Sequence, residues 1–126
     1  MSKAAISVFI FGVYAIILGI ICFTIPNWLL NLFGFPTTDE VWFRVMGMLI
    51  FHYGTYFILA ARKEFDVFFR WSVYPRSSVI IFFIIFVLSD LVKPILLFFG
   101  VIDLLAGLWT FFALRSSRKT KGHIFR

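Results

Sequence analysis

The chain has 126 residues, of which 62% are hydrophobic and only 14% are charged, and its formal net charge is +6. A soluble domain is about half apolar and about a quarter charged, so a soluble fold of this chain would leave large apolar patches in water, which soluble monomers rarely do. The length allows one compact unit. Its long apolar stretches predict an all-α polytopic membrane protein, an antiparallel bundle of four transmembrane helices with short interfacial helical segments.

The first predicted span covers residues 4–25, which are enough to cross a bilayer. Its apolar stretch is longer than that of a signal peptide and no small-residue cleavage site follows, so we expect it to be retained. Residues 26–35 are too few to cross and predict a helical turn or two at the membrane surface. The loop of residues 36–40 contains Thr and Asp, which can cap the next helix.

The second predicted span covers residues 41–61. The aromatic and charged residues of 65–76 predict an amphipathic connector along the membrane surface, which Pro75 ends because proline breaks helices. The third span, residues 74–92, is rich in β-branched side chains. It is nevertheless predicted to be helical, because an isolated strand leaves backbone groups unpaired in lipid. It has no stripe of small residues, so we expect it to face lipid more than the other spans.

The fourth predicted span, residues 95–114, precedes a tail, residues 115–126, that carries five cations and no acid. Basic tails also occur in nucleic-acid-binding proteins, but no nucleic-acid-binding motif accompanies this one. Beside hydrophobic spans it predicts a cytoplasmic tail that touches anionic lipid. We therefore expect membrane lipid, and either a second copy of the chain or a partner membrane subunit, as partners, and no nucleic acid.

The positive charges predict the orientation of the spans. Four crossings place both termini and the middle connector on one side, and the other side holds only Arg44 and Lys93. The first side holds the remaining ten of the twelve Lys and Arg residues, which are Lys3, Arg62, Lys63, Arg70, Arg76, Arg115, Arg118, Lys119, Lys121 and Arg126. Cytoplasmic loops carry the excess of Lys and Arg, so we expect a multi-pass protein of the inner (plasma) membrane with both termini in the cytoplasm.

Small residues recur at a spacing of seven in three of the four spans, which returns them to nearly the same helix face. Lipid tails give helices no hydrophobic reason to associate, so close approach at small residues packs them together. The predicted helix-packing positions are Gly12, Gly19, Gly47, Gly54, Gly100 and Gly107.

Ionisable residues inside a span are costly and are functional candidates by default. Asp103 lies on the glycine face of the fourth span, so we expect it to face protein. His52 lies at a similar depth in the second span, and Arg44 lies near its start. Asp103 with either of them makes a candidate polar site, which fixes helix register or forms a functional pocket. Arg76 and Asp90 are expected at the interfacial ends of span three.

No catalytic motif is present. The sequence lacks a Gly-rich phosphate loop, an H-x-x-x-H or C-x-x-C pair, a nucleophile elbow and paired carboxylates. The single cysteine, Cys22, excludes an internal disulfide and a Cys-only metal site. We therefore assign no catalytic residue, no metal site and no cofactor, and the sequence favours a protein that is not an enzyme.

Three stretches carry a resemblance: LFGFPTTDEVWFRVMG at residues 32–47, YFILAARKEFDVFFRWSVYPR at residues 56–76 and GVIDLLAGLWT at residues 100–110. Together with the four-span layout, they resemble a group of small, functionally uncharacterised bacterial four-helix membrane proteins that is similar in outline to DoxX-like proteins. The resemblance implies a four-helix bundle in a bacterial inner membrane. It implies no catalytic residue.

Three functions stay open at this point. The first is an accessory or interaction protein that binds lipid or partner subunits, with Asp103 as a structural polar group. The second is a small oligomeric carrier or channel that uses Asp103 and His52 along a polar path. The third is a membrane enzyme acting on a lipid or a quinone, with His52 as general base.

Overall fold

The computed structural model describes residues 2–91 and 94–124 and, for residues 117–124, the backbone alone. The chain is 86% helical, and the described residues contain no strand. The helices are α1 (Lys3–Thr24), α2 (Pro26–Leu32), α3 (Val41–Arg62), α4 (Asp66–Leu88) and α5 (Leu97–Ile124), with a 3₁₀ turn at Pro94–Leu96. Lys93, Arg126 and the side chains of the other tail cations after Arg115 lie outside the described residues.

Four helical stretches are long and apolar enough to cross a membrane, which confirms the all-α class and the number of apolar helices; the third begins at Asp66 and ends at Leu88 rather than covering residues 74–92. Each has 22 or 23 residues, enough for a hydrocarbon core of about 30 Å at about 1.5 Å per residue. They are Lys3–Thr24, Val41–Arg62, Asp66–Leu88 and Pro94–Ser116. The short helical segment predicted after the first span is α2.

The expectation that Pro75 ends a surface connector is wrong. Pro75 lies inside α4, which runs unbroken from the first part of the predicted connector into the third span. Proline removes one backbone donor from a helix, here the donor to the Trp71 carbonyl four residues earlier, and membrane helices tolerate such a loss. Two side chains of the same stretch bond other carbonyls of α4: the Arg76 Nε donates to the Ser72 carbonyl oxygen at 3.3 Å, and the Ser78 hydroxyl donates to the Pro75 carbonyl oxygen at 2.8 Å.

The last helix is longer than expected. The predicted boundary between span four and the tail falls after residue 114, whereas α5 continues as a helix to Ile124. The basic segment therefore begins as a continuation of the helical span. The exposed Arg115 lies on the same helix as Asp103.

Three helices end with the same backbone turn. After α2, α3 and α4, one residue takes a left-handed conformation, with φ of 76° at Gly34, 53° at Glu64 and 58° at Asp90. The N–H of the residue that follows bonds a carbonyl five residues back, as Phe35 does to Leu30 at 2.8 Å. This is the Schellman arrangement, which satisfies carbonyls that a helix end would leave unpaired.

The chain forms two compact units. We call Ile10–Leu59 the glycine unit, and Met1–Phe9 with Ala60–Arg126 the polar unit. The boundary crosses α1 and α3, so each of these helices contributes to both units. In α1, 39% of the most apolar stretch is buried, against 17% in each of the other three spans. The third span is therefore no more exposed than the second and the fourth.

In the glycine unit, α1 and α3 contact each other backbone to backbone. A Cβ atom on Gly12 would lie 2.9 Å from the carbonyl oxygen of Gly54, and one on Gly54 would lie 2.7 Å from that of Gly12. Gly19 and Gly47 oppose each other in the same reciprocal way, at 2.7 and 2.8 Å. Because the residue numbers rise along one helix as they fall along the other, α1 and α3 run in opposite directions in this unit.

Aromatic rings fill the α1–α3 contact beside the Gly12–Gly54 pair. Phe57 is 1% exposed, and its ring lies 5.1 Å from that of Phe11 and 4.5 Å from that of Tyr53, centroid to centroid. The Phe11 and Tyr53 rings meet edge to face at 6.1 Å. These spacings are those that aromatic pairs favour, so glycine makes the helices approach and aromatic packing fills the space beside them.

Candidate functional site

One face of α5 in the polar unit carries three residues of the candidate site. Asp103, Gly107 and Thr110 are spaced by four and three residues, which brings them to the same side of the helix. Thr110 is fully buried, Gly107 is buried and Asp103 is partly buried. Asp103 and Thr110 lie about 10 Å apart along the helix axis. This face of span four thus has a polar side chain at each end and no side chain at Gly107 between them.

Thr110 joins α5 to the start of α1. Its hydroxyl lies 2.7 Å from the Ser7 hydroxyl, and both residues are buried. The Ser7 hydroxyl also donates to the Ala4 carbonyl oxygen at 2.7 Å. A serine hydroxyl has a single hydrogen, so Thr110 is the donor of the bond to Ser7. Both hydroxyls are therefore satisfied inside the protein, as buried polar groups require.

Arg76, on α4, is the largest fully buried side chain among the residues whose side chains the structure describes. Its Nε donates to the Ser72 carbonyl oxygen at 3.3 Å and its Nη2 to the Ser72 hydroxyl at 2.9 Å. That hydroxyl donates in turn to the Phe69 carbonyl oxygen at 2.9 Å. These bonds lie one turn apart on α4, so they hold the guanidinium against its own helix.

The charge of Arg76 acts on the carboxyl group of Asp103. A buried cation needs an opposite charge nearby, because removing it from water costs several kcal/mol. Asp103 on α5 is the acid on which the Arg76 charge acts, and charged residues inside membrane spans commonly pair with one another. The expectation that Arg76 lies at the interfacial end of a span is wrong: it is midway along α4 and 0% exposed.

Gly107 lets the side chains of α4 approach the backbone of α5. A Cβ atom there would lie 2.9 Å from the Ser77 hydroxyl oxygen and 3.6 Å from the Arg76 Cβ. The α4 side chains therefore pack directly onto the α5 backbone between Asp103 and Thr110. Together, the hydroxyl pair and the Arg76–Asp103 pair form what we call the polar cluster: Ser7, Ser72, Arg76, Asp103 and Thr110.

Arg44 and His52 belong to the glycine unit, whereas Asp103 belongs to the polar unit. The Arg44 guanidinium donates to the carbonyl oxygen of Phe23 and to that of Thr24, the latter at 3.4 Å. These carbonyls lie at the C-terminus of α1, where a cation also complements the helix dipole. His52 is exposed, and its Nδ1 lies 2.9 Å from the Met48 carbonyl oxygen of its own helix.

Two surface grooves accompany these sites. One, of about 300 Å³, belongs to the glycine unit and is lined by Gly19, Ile20, Phe23, Thr24, Met48 and Phe51. The other, of about 390 Å³, belongs to the polar unit and is lined by Lys3, Ile6, Trp109, Phe112, Ala113 and Ser116. Among the described residues, no three His, Cys, Asp or Glu side chains are grouped to hold a metal ion.

No protein-family model, curated protein or solved structure matches this chain.

Sequence reasoning selected Asp103 but missed the other four members of the polar cluster. Arg76 was expected at the interfacial end of span three, because Pro75 was taken to end the connector before it. Two signals could have found the missed residues. Ser72 and Arg76 are four residues apart, the spacing of a bonded pair on one helix face. Thr110 lies seven residues after Asp103, on the same face as Gly107, and this marks a second buried polar position.

Proposed function

We propose that this protein is an accessory or interaction protein of a bacterial inner membrane, which binds lipid or partner subunits and neither transports a solute nor catalyses a reaction. The observation that carries the proposal is the bonding of the fully buried Arg76. It bonds Ser72 and acts on Asp103. A carrier needs polar groups that exchange partners with a solute, whereas the Arg76 guanidinium is held by Ser72 and its charge acts on Asp103.

The proposal includes an antiparallel bundle of the four spans with both termini in the cytoplasm, similar in outline to DoxX-like proteins. The opposite directions of α1 and α3 in the glycine unit support it, as do those of α4 and α5 in the polar unit. There Gly100 lies against Ile80 and Phe83, while Gly107 lies against Ser77. The Lys and Arg excess at the proposed cytoplasmic side supports the orientation.

Exposed apolar faces support binding of lipid or of a second membrane subunit. Large apolar side chains are exposed on all four spans, for example Ile17 at 54%, Leu49 at 59%, Phe82 at 57% and Leu105 at 59%. In water such patches mark interaction sites, and in a bilayer they meet lipid tails or other helices. A homo-oligomer or a complex with a partner subunit uses the same faces.

The test compares the wild type with Asp103→Asn and His52→Ala, each reconstituted into liposomes that enclose a pH-sensitive dye and each also unfolded in detergent. We expect no pH-dependent flux from any of the three proteins. Asp103→Asn lowers the unfolding temperature, because it removes the charge that faces the buried Arg76. His52→Ala unfolds like the wild type, because exposed side chains contribute little.

Two outcomes contradict the proposal. Wild-type flux that Asp103→Asn or His52→Ala abolishes, with unchanged unfolding, favours the oligomeric carrier. A change in the mass of a bound lipid or quinone that depends on His52 favours the membrane enzyme.

A further inference from the structure

The polar unit carries a groove whose two ends differ in chemistry. Lys3 and Ser116 lie at one end, and both side chains are exposed. Ile6 continues the groove along α1, and Phe112 and Trp109 continue it along α5. Trp109 lies seven residues before Ser116, or about 10 Å along the helix axis. The groove therefore runs from a cationic, hydroxyl-bearing end to an apolar one.

The hollow exists because of small side chains on α5. Trp109, Ala113 and Ser116 lie on one face of the helix, spaced by four and three residues. The methyl group of Ala113 is buried, whereas the large rings on either side of it, Trp109 and Phe112, are 45% and 56% exposed. The rings thus form a wall, and Ala113 forms part of the floor.

We propose that this groove binds one anionic glycerophospholipid, with its phosphate at Lys3 and the upper part of one acyl chain along Ile6, Trp109 and Phe112. The inference rests on the proposed function, because it names the lipid that a membrane accessory protein binds. Charge decides the class of lipid. The chain is +6, Lys3 is at the rim and Arg115 is the neighbour of Ser116, so an anionic headgroup is favoured over a zwitterionic one.

The size of the groove fits part of a lipid. A volume of about 390 Å³ is at the small end of ligand sites, so it holds the glycerol–phosphate region and the first carbons of a chain, while the remainder stays in the bilayer. Tryptophan is enriched at the depth where headgroup meets hydrocarbon. The position of Trp109, about two turns below Ser116, matches that depth.

The groove of the glycine unit serves as an internal comparison. It has a similar volume, about 300 Å³, but its lining contains no charged residue. Its one side-chain hydroxyl, that of Thr24, donates to the Ile20 carbonyl oxygen at 2.7 Å. An acyl chain fits this groove as well, and the cation beside it, Arg44, donates to the carbonyl oxygens of the lining residues Phe23 and Thr24 and is thereby held by the end of α1.

Native mass spectrometry of the full chain, released from mixed micelles with equal amounts of phosphatidylglycerol and phosphatidylcholine, tests the proposal. We expect the wild type to retain phosphatidylglycerol preferentially. Lys3→Gln lowers the ratio of the two retained lipids by about fivefold, the factor expected for one cation near an anionic lipid surface. Lys3→Arg keeps the ratio, which separates the effect of charge from any effect on folding.

Lys63→Gln is the matched control, because Lys63 is an exposed lysine of the same unit that does not line the groove. It leaves the ratio unchanged. Trp109→Leu lowers the retention of both lipids and keeps their ratio. Glycerol phosphate added in solution at millimolar concentration does not displace the lipid, because it lacks the acyl chain.

Three results overturn the inference: equal retention of the two lipids by the wild type, equal loss of preference in Lys3→Gln and Lys63→Gln, or displacement by glycerol phosphate. The last result indicates a site for a soluble phosphate ester. The liposome flux experiment tests the accessory role separately. Flux together with an intact lipid preference rejects that role and leaves the lipid site standing.

Discussion

The glycine unit and the polar unit join their helices by different means. In the glycine unit, the carbonyl oxygens of Gly12, Gly19, Gly47 and Gly54 lie where an opposing Cβ atom would have to be. In the polar unit, the atoms nearest to the α5 glycines are mostly side-chain atoms of α4, and the charge of the buried Arg76 on α4 acts on the partly buried Asp103 on α5. Backbone cannot move aside without separating the helices, whereas side chains can change rotamer. The contact in the glycine unit therefore tolerates no larger side chain at its glycines, and the contact in the polar unit does not tolerate the loss of a charged side chain.

The largest expected effect comes from Arg76→Met. It removes the buried cation and leaves the Asp103 carboxylate without its opposite charge, so we expect a loss of about 3–5 kcal/mol in unfolding free energy. Denaturant unfolding in detergent micelles measures it. Arg70→Met is the control, because Arg70 is exposed on the same helix and should change stability by less than about 0.5 kcal/mol. If Arg76→Met and Arg70→Met lowered the unfolding free energy equally, the interaction of Arg76 with Asp103 would not distinguish the two units.

Adding one methyl group to each unit gives the next largest effect. A Cβ on Gly19 would lie 2.6 Å from the Phe51 backbone nitrogen, whereas the nearest atom to one on Gly107 is the Ser77 hydroxyl oxygen at 2.9 Å. We expect Gly19→Ala to cost about 1–3 kcal/mol, the usual range for overpacking, and Gly107→Ala to cost less, because Ser77 can rotate.

Cys22 reports on the glycine unit directly. It is the one cysteine in the chain and is 1% exposed, so its rate of maleimide labelling follows opening of the α1–α3 contact. Gly19→Ala should speed labelling, and Gly107→Ala should leave it close to the wild-type rate. Faster labelling in Gly107→Ala than in Gly19→Ala would contradict the distinction between a backbone contact in the glycine unit and a side-chain contact in the polar unit.

The hydroxyl pair of the polar unit should have a smaller effect. Ser7→Ala and Thr110→Val, measured singly and together, give the coupling energy of their 2.7 Å bond. We expect about 0.6 kcal/mol, the average for hydrogen bonds between membrane helices, with a ceiling of about 1.7 kcal/mol. A coupling near zero would leave the charge pair as the sole polar link between helices in the cluster.

The smallest expected effect lies at the helix ends. Gly34 in the glycine unit and Asp90 in the polar unit both take a left-handed conformation, with φ of 76° and 58°. Asp90→Gly should stabilise the protein by up to about 1 kcal/mol, because glycine adopts this conformation without strain. Gly34→Ala should destabilise it by a similar amount, although its Cβ would meet nothing within 4 Å. Thermal unfolding of the two variants side by side measures both changes.

Hydropathy alone predicted the helical class and the four spans, because lipid forces apolar stretches of this length into helices. The error at Pro75 has a specific cause. The rule that proline ends helices is weaker in a membrane span, where proline is tolerated, and Pro75 costs α4 one backbone bond without ending the helix. The continuation of α5 beyond residue 114 was missed because charge was taken to end the helix as well as the span.

The polar cluster was only partly predictable for the same reason. Asp103 is visible in the sequence because it is an isolated acid in an apolar span. Its partner was hidden by the misplaced boundary of α4, which moved Arg76 from the middle of a helix to the membrane surface. Local spacing gives the face on which a residue lies, whereas the identity of the facing residue depends on which helices meet, and no local pattern encodes that.

The most direct test of the structural role of the charge pair is a double-mutant cycle with Arg76→Met and Asp103→Asn, measured by reversible unfolding of the full chain in detergent micelles. The proposed pairing predicts that each single variant loses stability and that the double variant loses less than their sum, with a coupling energy of about 2 kcal/mol, within the range for groups in contact. Strictly additive losses would contradict the pairing and, with it, the structural role of the polar cluster.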